Sequence, residues 1–296
     1  MLNKEESTGH ILALITIFIW GTTFISTKIL LNNFSPIEIL FTRFLLGFLA
    51  LWAIYPHALK FCGRYQEIYF ALAGLSGVTL YFLFENIALC FSYASNVGII
   101  MSTSPFFTAV LASFVLKERL KKRFMFGFLL AMIGIGLINF NGISILKLNP
   151  IGDFLALSAS FLWAVYSILM KKIGSFGIPT IQVTRRTFLY GLLFMLPVML
   201  IDFHPKDYKL LDAVDIFNFV YLGFGASAIC FSSWNKALKI LGAVKVNGYI
   251  YAIPVITVIT SSLILRENIT YLAWAGMAFA ILGLFISEHD FSTKKI

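Results

Sequence analysis

Residues 20–43 read WGTTFISTKILLNNFSPIEILFTR, and residues 163–186 read WAVYSILMKKIGSFGIPTIQVTRR. Trp20, Lys28, Pro36 and Arg43 of the first stretch return as Trp163, Lys171, Pro179 and Arg186, each displaced by 143 residues. Further along, Gly74, Asn86, Ala88, Leu89, Ala94, Pro105, Glu118, Gly127 and Gly134 return as Gly223, Asn235, Ala237, Leu238, Ala243, Pro254, Glu267, Gly276 and Gly283, displaced by 149. One segment is therefore present twice, and the second copy carries six extra residues between the two blocks.

Composition says what kind of segment it is. Of 296 residues, 59% are hydrophobic and 12% charged, and the mean hydropathy of +0.87 is far too high for a soluble domain of this size. Apolar runs of about 20 residues, broken by short charged or Gly/Pro/Asn stretches, read as membrane-spanning helices and not as alternating barrel strands. The expected spans are 10–31, 36–55, 68–91, 95–116, 124–141, 152–173, 179–201, 214–238, 244–265 and 271–288. The first is too long for a signal-peptide core and follows the polar Met1–Gly9, so it reads as an uncleaved anchor. The repeats run over 9–141 and 150–288, joined by an outer connector with Asn141-Gly142, Lys147 and Asn149-Pro150. The one sizeable loop, Asp202–Asp215, is too small to be a catalytic domain.

The net charge of +9 reports orientation, not nucleic-acid binding. With the N-terminus inside, fifteen Lys and Arg fall on the cytoplasmic side and five (Lys28, Lys147, Lys206, Lys209 and Arg266) on the other, which places both termini in the cytoplasm. Five helices per repeat is an odd number, so the second repeat lies upside down relative to the first. Cys62, Cys90 and Cys230, with His10, His57, His204 and His289, show no metal-ligand or disulfide spacing. A phosphate loop and a nucleophile elbow are also missing from the sequence. These readings exclude ATP-driven pumping and hydrolase chemistry of the familiar kinds and require no cofactor or metal. Duplicated membrane halves with polar groups at matching depths instead suit a secondary transporter, whose site lies between the halves.

Candidate site residues follow from polar and aromatic groups inside the spans. Trp20 and Trp163 lie near mid-helix, away from the interfacial belts, and read either as cavity walls or as packing. Arg43 lies about seven residues, roughly 10 Å, inside its helix, with Glu85 at similar depth on the next. A charge there costs about 2.5–3.5 kcal/mol on insertion scales, so the two are expected to pair, either as structure or as a coupling group that accepts a proton when the pair opens. The repeat mate of Glu85 is Trp234, which leaves the second half without that acid. Arg186 mirrors Arg43 and stands beside Arg185; one is expected to face a cavity or helix-end carbonyls and the other to snorkel. Asn86 and Asn235 are interhelical hydrogen-bonding amides, while Pro105 and Pro254 break their helices as hinges or as static kinks. Tyr81, Glu85, Ala88 and Ser92 form a stripe, and Tyr251 and Trp234 add rings that suit an aromatic or cationic solute or plain packing. Gly127, Gly134, Gly276 and Gly283 leave smooth faces for close contacts within the chain or in a homodimer.

The segments Trp20-Gly21-Thr22-Thr23-Phe24, Pro36 through Arg43-Phe44, Asn96 to Pro105 and Leu116-Lys117-Glu118-Arg119-Leu120, followed by Gly127 and Gly134, resemble the repeat of the EamA family in the drug/metabolite transporter superfamily. The second copy carries the pattern as Trp163, Pro179, Arg186, Trp234-Asn235-Lys236-Ala237-Leu238, Pro254, Leu265-Arg266-Glu267, Gly276 and Gly283, departing from the usual Trp-Gly at Trp163-Ala164. The resemblance covers nearly the whole chain. It implies an all-α membrane protein of ten helices in two inverted five-helix repeats around a central cavity, working by alternating access. It further implies export or exchange of metabolites, amino acids or drugs. The expectation is thus a multi-pass transporter of the cytoplasmic membrane, exporting small amphipathic solutes, with a proton or counter-substrate as coupling partner. An exchanger of phosphorylated anions, suggested by Arg43, Arg185 and Arg186, and a non-transporting membrane scaffold are the alternatives.

Overall fold

The computed structural model describes residues 4–57, 60–91, 94–117, 122–139, 149–201, 211–265 and 270–288. Among them every regular element is helical. In the first half these are α1 (Lys4–Leu30), α2 (Pro36–Ile54), α3 (Arg64–Ala73), α4 (Tyr81–Phe91), α5 (Ala94–Met101), α6 (Ser104–Val115) and α7 (Lys122–Asn139). In the second they are α8 (Pro150–Ile173), α9 (Thr180–Ile201), α10 (Ala213–Val220), α11 (Cys230–Leu241), α12 (Ala243–Gly248), α13 (Ile253–Leu265) and α14 (Tyr271–Glu288). Among the described residues six helical runs, Pro36–Ile54, Arg64–Ala88, Pro150–Phe176, Thr180–Ile201, Ala213–Leu241 and Ala243–Thr260, are long and apolar enough to cross a membrane. The chain is a multi-pass membrane protein. Residues Asn141-Gly142, Lys147, Glu118, Glu267 and 202–210 of the long loop lie outside the described residues.

Local chemistry starts and stops the helices. Ser35 caps α2 with Glu38 in a reciprocal capping box and Pro36 at the first turn, and the Asn149 side chain accepts from the Ile151 and Gly152 amides at the head of α8. Gly177 at φ +74° ends the turn after α8 in the left-handed region.

Two expected spans are less regular than apolar periodicity suggests. α3 passes into α4 through a π-helical stretch, Gly74–Leu80, and α10 into α11 through another, Tyr221–Ile229. These stretches are repeat mates, since Gly74 and Gly223 differ by 149. A Cβ on Gly74 would lie 2.7 Å from Thr187 O and Gly191 N of α9, and one on Gly223 would lie 2.6 Å from the Leu46 Cβ of α2. The same crossing is made twice with the halves exchanged, and the missing side chains let the backbones approach. The expected spans 95–116 and 244–265 are broken as well. α5 ends at Met101 before Pro105 opens α6, and a 3₁₀ turn, Tyr249–Ala252, separates α12 from Pro254 in α13.

The glycine faces of α7 and α14 pack against each other inside the chain. A Cβ on Gly134 would meet Ala280 N at 2.4 Å and Gly276 O at 2.5 Å, and one on Gly127 would meet Gly283 O at 2.6 Å. Gly127 opposes Gly283 and Gly134 opposes Gly276, so the two helices cross antiparallel. The largest buried cluster lies between the halves and draws Ile17, Phe44 and Phe70 from the first and Trp163, Phe188, Phe231 and Trp234 from the second.

Candidate functional site

α1, α8 and α11 bring Trp20, Trp163 and Trp234 together where the halves meet. The Trp20 ring lies 5.5 Å from Trp163, edge to face, and 5.1 Å from Trp234, and Trp163 lies 6.3 Å from Trp234. Phe231 lies one turn before Trp234 on α11, 5.5 Å from Trp20 and 6.2 Å from Trp163. Tyr81 closes the group from α4, 5.0 Å from Trp163. These offset and edge geometries are the favourable ones for aromatic pairs. They form an aromatic box built from both repeats, with its rings in contact.

Indole N–H groups need acceptors when buried, and the three tryptophans differ there. Trp20 Nε1 donates to Ala226 O at 3.0 Å, a carbonyl in the π stretch, where the wider turn leaves the backbone less regularly paired. Trp163 Nε1 donates to Asn247 Oδ1 at 2.9 Å, and Ser167 donates to the same oxygen at 3.3 Å. Trp234 is fully buried, and its Nε1 has no hydrogen-bond acceptor among the described residues. Asn235 is held beside the box, accepting from Tyr166 OH at 2.8 Å and donating to Thr184 Oγ1 at 3.0 Å, while its mate Asn86 is half-buried on α4.

The charged pair borders the box. Arg43 is 6% exposed. Its Nε donates to Ser227 Oγ at 3.1 Å, and its guanidinium carbon lies 5.3 Å from the Phe44 ring and 5.2 Å from Phe82. Glu85 lies close enough to act on Arg43 electrostatically. Among the described residues no ion-pair contact joins Arg43 to Glu85, and Ser227 takes the directed hydrogen bond instead.

Arg186 is elsewhere. It faces the segment between α2 and α3, 3.6 Å from Glu67 Oε1 and 3.3 Å from Lys60 O, and Tyr190 OH donates to the other Glu67 oxygen at 2.7 Å. The adjacent Arg185 is more buried. It donates to Tyr55 O at 2.6 Å and to His57 O, and stacks over Trp52 at 4.3 Å. Tyr251 lies away from the box in the α7–α14 cluster, 6.5 Å from Phe128. Pro105 and Pro254 each begin the second piece of a broken helix. Among the described residues no group of three His, Cys, Asp or Glu is placed to hold a metal ion.

Sequence reasoning passed over Asn247, Phe231, Ser227 and Glu67. An amide inside an apolar span was a usable signal for Asn247, but its repeat mate is Gly98, and a search for recurring residues skips it.

The model of the EamA-like transporter family matches residues 7–140 and 150–288. An uncharacterized transporter of Archaeoglobus fulgidus is 28% identical over 95% of this chain and 98% of its own length. A probable amino-acid metabolite efflux pump of Salmonella typhimurium is 26% identical over 96% of each chain. A solved crystal structure superposes with a TM-score of 0.79 over 95% of this chain and 96% of that one, and at 18% identity it speaks for the fold alone. With two matched segments that together span nearly the whole sequence, the chain belongs to the EamA-like transporter family.

Proposed function

We propose that the chain is a secondary-active transporter of the cytoplasmic membrane that exports small amphipathic solutes by alternating access. In this reading ten transmembrane helices form two inverted five-helix repeats, both termini lie in the cytoplasm, and solute binds in a central cavity where the aromatic box now sits. The observation that carries the reading is the convergence of Trp20, Trp163 and Trp234 from both repeats, bordered by Arg43 and Glu85. Inversion draws support from the antiparallel α7–α14 crossing and from the exchanged contacts of the two π stretches.

The chemistry is recognition without bond breaking. Large aromatic faces take the apolar body of a solute, and a few polar atoms fix its orientation. The rings touch in the present conformation, so one repeat must rock against the other to admit solute. The breaks before Pro105 and Pro254 are where two helices can bend. Glu85, with no mate in the second half, is the group that takes up a proton when the box opens. Amino-acid-like solutes are the first class to try, since the Salmonella typhimurium relative is named for them. Exchange of phosphorylated anions ranks second because the guanidinium groups of Arg185 and Arg186 are directed to carbonyls and to Glu67.

The test is a thermal-shift screen of the purified protein against amino acids, amines, hydrophobic drugs and sugar phosphates, followed by counterflow in proteoliposomes with each hit. A ligand at 100 times its Kd stabilises the folded state by about 2.7 kcal/mol, which such a screen resolves. Amphipathic solutes should raise the melting temperature of the wild type and lose that effect in Trp20→Ala and Trp163→Ala. Shifts that persist in both variants, or hits confined to sugar phosphates, would sink the reading.

A further inference from the structure

The three indoles of the box are not equivalent. Trp20 and Trp163 spend their N–H groups on Ala226 O and Asn247 Oδ1, whereas Trp234, at 0% exposure, has none of the described residues as acceptor. An indole N–H can only donate, so the group that completes it must be an acceptor, and a buried donor left unmade is costly. Phe231, one turn before Trp234, touches Trp20 and Trp163, and Cys230 and Ser227 lie further back along the same run. Arg43 bonds Ser227 and acts electrostatically on Cys230, which places a positive charge at this side of α11. A cation at the border of the box, on the run that carries this donor, favours an anionic acceptor over a neutral one.

We infer that Trp234 Nε1 is the hydrogen-bond donor for the carboxylate end of the transported solute, with the Arg43 charge behind it and the Trp20 and Trp163 rings around its apolar body. The inference rests on the reading of the box as the solute site and names the solute class: small carboxylates with an apolar or aromatic body, amino acids among them. It also assigns the tryptophans separate tasks. Two are fixed by protein acceptors and serve as walls, and one keeps its donor for the cargo.

The experiment uses the full-length protein in proteoliposomes and three probes that share one ring: phenylalanine, phenylalaninamide and phenethylamine. Each is measured as a thermal shift and as an inhibitor of counterflow in the wild type, in Trp234→Phe and in Trp20→Phe. Trp234→Phe keeps an aromatic ring and removes the donor. It should weaken phenylalanine about tenfold, as loss of one charge-assisted hydrogen bond does, weaken the amide less, and leave the amine unchanged. Trp20→Phe should not discriminate among the three. Ultraviolet resonance Raman of the wild type, with Trp234→Phe identifying the band, should show one indole N–H gaining a hydrogen bond when phenylalanine binds. Equal weakening of all three probes in Trp234→Phe makes the residue a packing wall and overturns the inference alone. No binding of any probe to the wild type, while a solute that does bind keeps its thermal shift in Trp20→Ala, removes the box as a carboxylate site and takes the underlying reading with it. Should Trp234→Phe fail to fold, the Raman band is assigned by its persistence in Trp20→Phe, Trp52→Phe, Trp163→Phe and Trp274→Phe, and it decides the matter together with the wild-type preference for carboxylate over amine.

Discussion

Arg43 and Arg186 occupy one position of a duplicated segment, yet the protein uses them in opposite ways. Arg43 is turned inward to Ser227 and two phenylalanine rings at the edge of the aromatic box. Arg186 is turned to Glu67 and a loop carbonyl, while its neighbour Arg185, whose mate is Thr42, ties Tyr55 and His57 to α9. The same divergence recurs at Glu85 and its mate Trp234. Duplication has kept what the backbone needs, the glycine crossings and helix breaks, and has let the electrostatics of the halves drift apart.

The shared part can be broken first, with the largest expected effect. Gly134→Ala and Gly276→Ala each force a Cβ to within 2.4–2.6 Å of backbone atoms across the α7–α14 crossing, where no side chain can move aside. Each should cost about 3 kcal/mol or more and abolish monodisperse protein on size exclusion. Gly136→Ala, whose Cβ would meet nothing within 4 Å, should instead gain up to about 1 kcal/mol from helix propensity. Equal losses at 134 and 276 are the outcome a common scaffold demands, and a tolerant Gly276 would break the equivalence.

The divergent part comes next. Arg43→Ala removes a buried cation and leaves Glu85 without its positive neighbour, so stability should fall by about 3 kcal/mol and transport should be lost. Arg186→Ala removes the more exposed partner of its pair, 19% against 8%, and leaves Glu67 the Tyr190 hydroxyl and the Cys62 amide as donors, so it should cost less than Arg43→Ala, about 1 kcal/mol. Chemical denaturation of the two variants in matched detergent makes the comparison, and similar losses would mean that the two positions still do one job.

Glu85→Gln keeps the shape but takes the anionic neighbour from the buried Arg43, so stability should fall, by less than in Arg43→Ala because the guanidinium keeps Ser227 and two rings, and the main effect should be on coupling. Uptake driven by an imposed proton gradient should vanish while counterflow of the same solute remains. Unchanged gradient-driven uptake would make Glu85 a structural neighbour of Arg43, and loss of counterflow as well would point to solute contact or folding.

Much of this frame is legible in the sequence because it lies in displacements. The shifts of 143 and 149 pair Trp20 with Trp163 and Pro105 with Pro254, and the seven-residue glycine spacing marks the α7–α14 faces. Three things escape such a reading. The π stretches have no compositional mark beyond Gly74 and Gly223, since a one-residue change of hydrogen-bond register is decided by what crosses the helix. Which of Arg185 and Arg186 is buried depends on where the chain after Ile54 returns, a tertiary fact. α1 begins at Lys4 and not at residue 10 because its polar first turn can be helical outside the apolar run that marks the span.

The smallest effect tests the Arg186 end alone. Cys62 lies in the segment between α2 and α3, with its amide 3.5 Å from Glu67 Oε1. Partial burial pushes its thiol above the ordinary value, the Glu67 carboxylate pushes it further up, and Arg186 pulls it down. Thiolate is the reactive form, so at pH 8, below the raised midpoint, labelling rate follows the thiolate fraction. In a Cys90→Ser, Cys230→Ser background, Glu67→Gln removes the anionic neighbour, lowers the midpoint and should speed labelling. Arg186→Gln removes the cation, raises the midpoint and should slow it. Opening of the segment itself is the competing cause, and it has a different signature: exposure relieves the burial that raises the thiol, so it would speed labelling and lower the midpoint in both variants. Midpoints that shift in opposite directions would show that the second half's arginine acts through charge on the segment between α2 and α3, while Arg43 works at the edge of the aromatic box. A common acceleration would mean that Arg186 and Glu67 serve only to hold the segment closed.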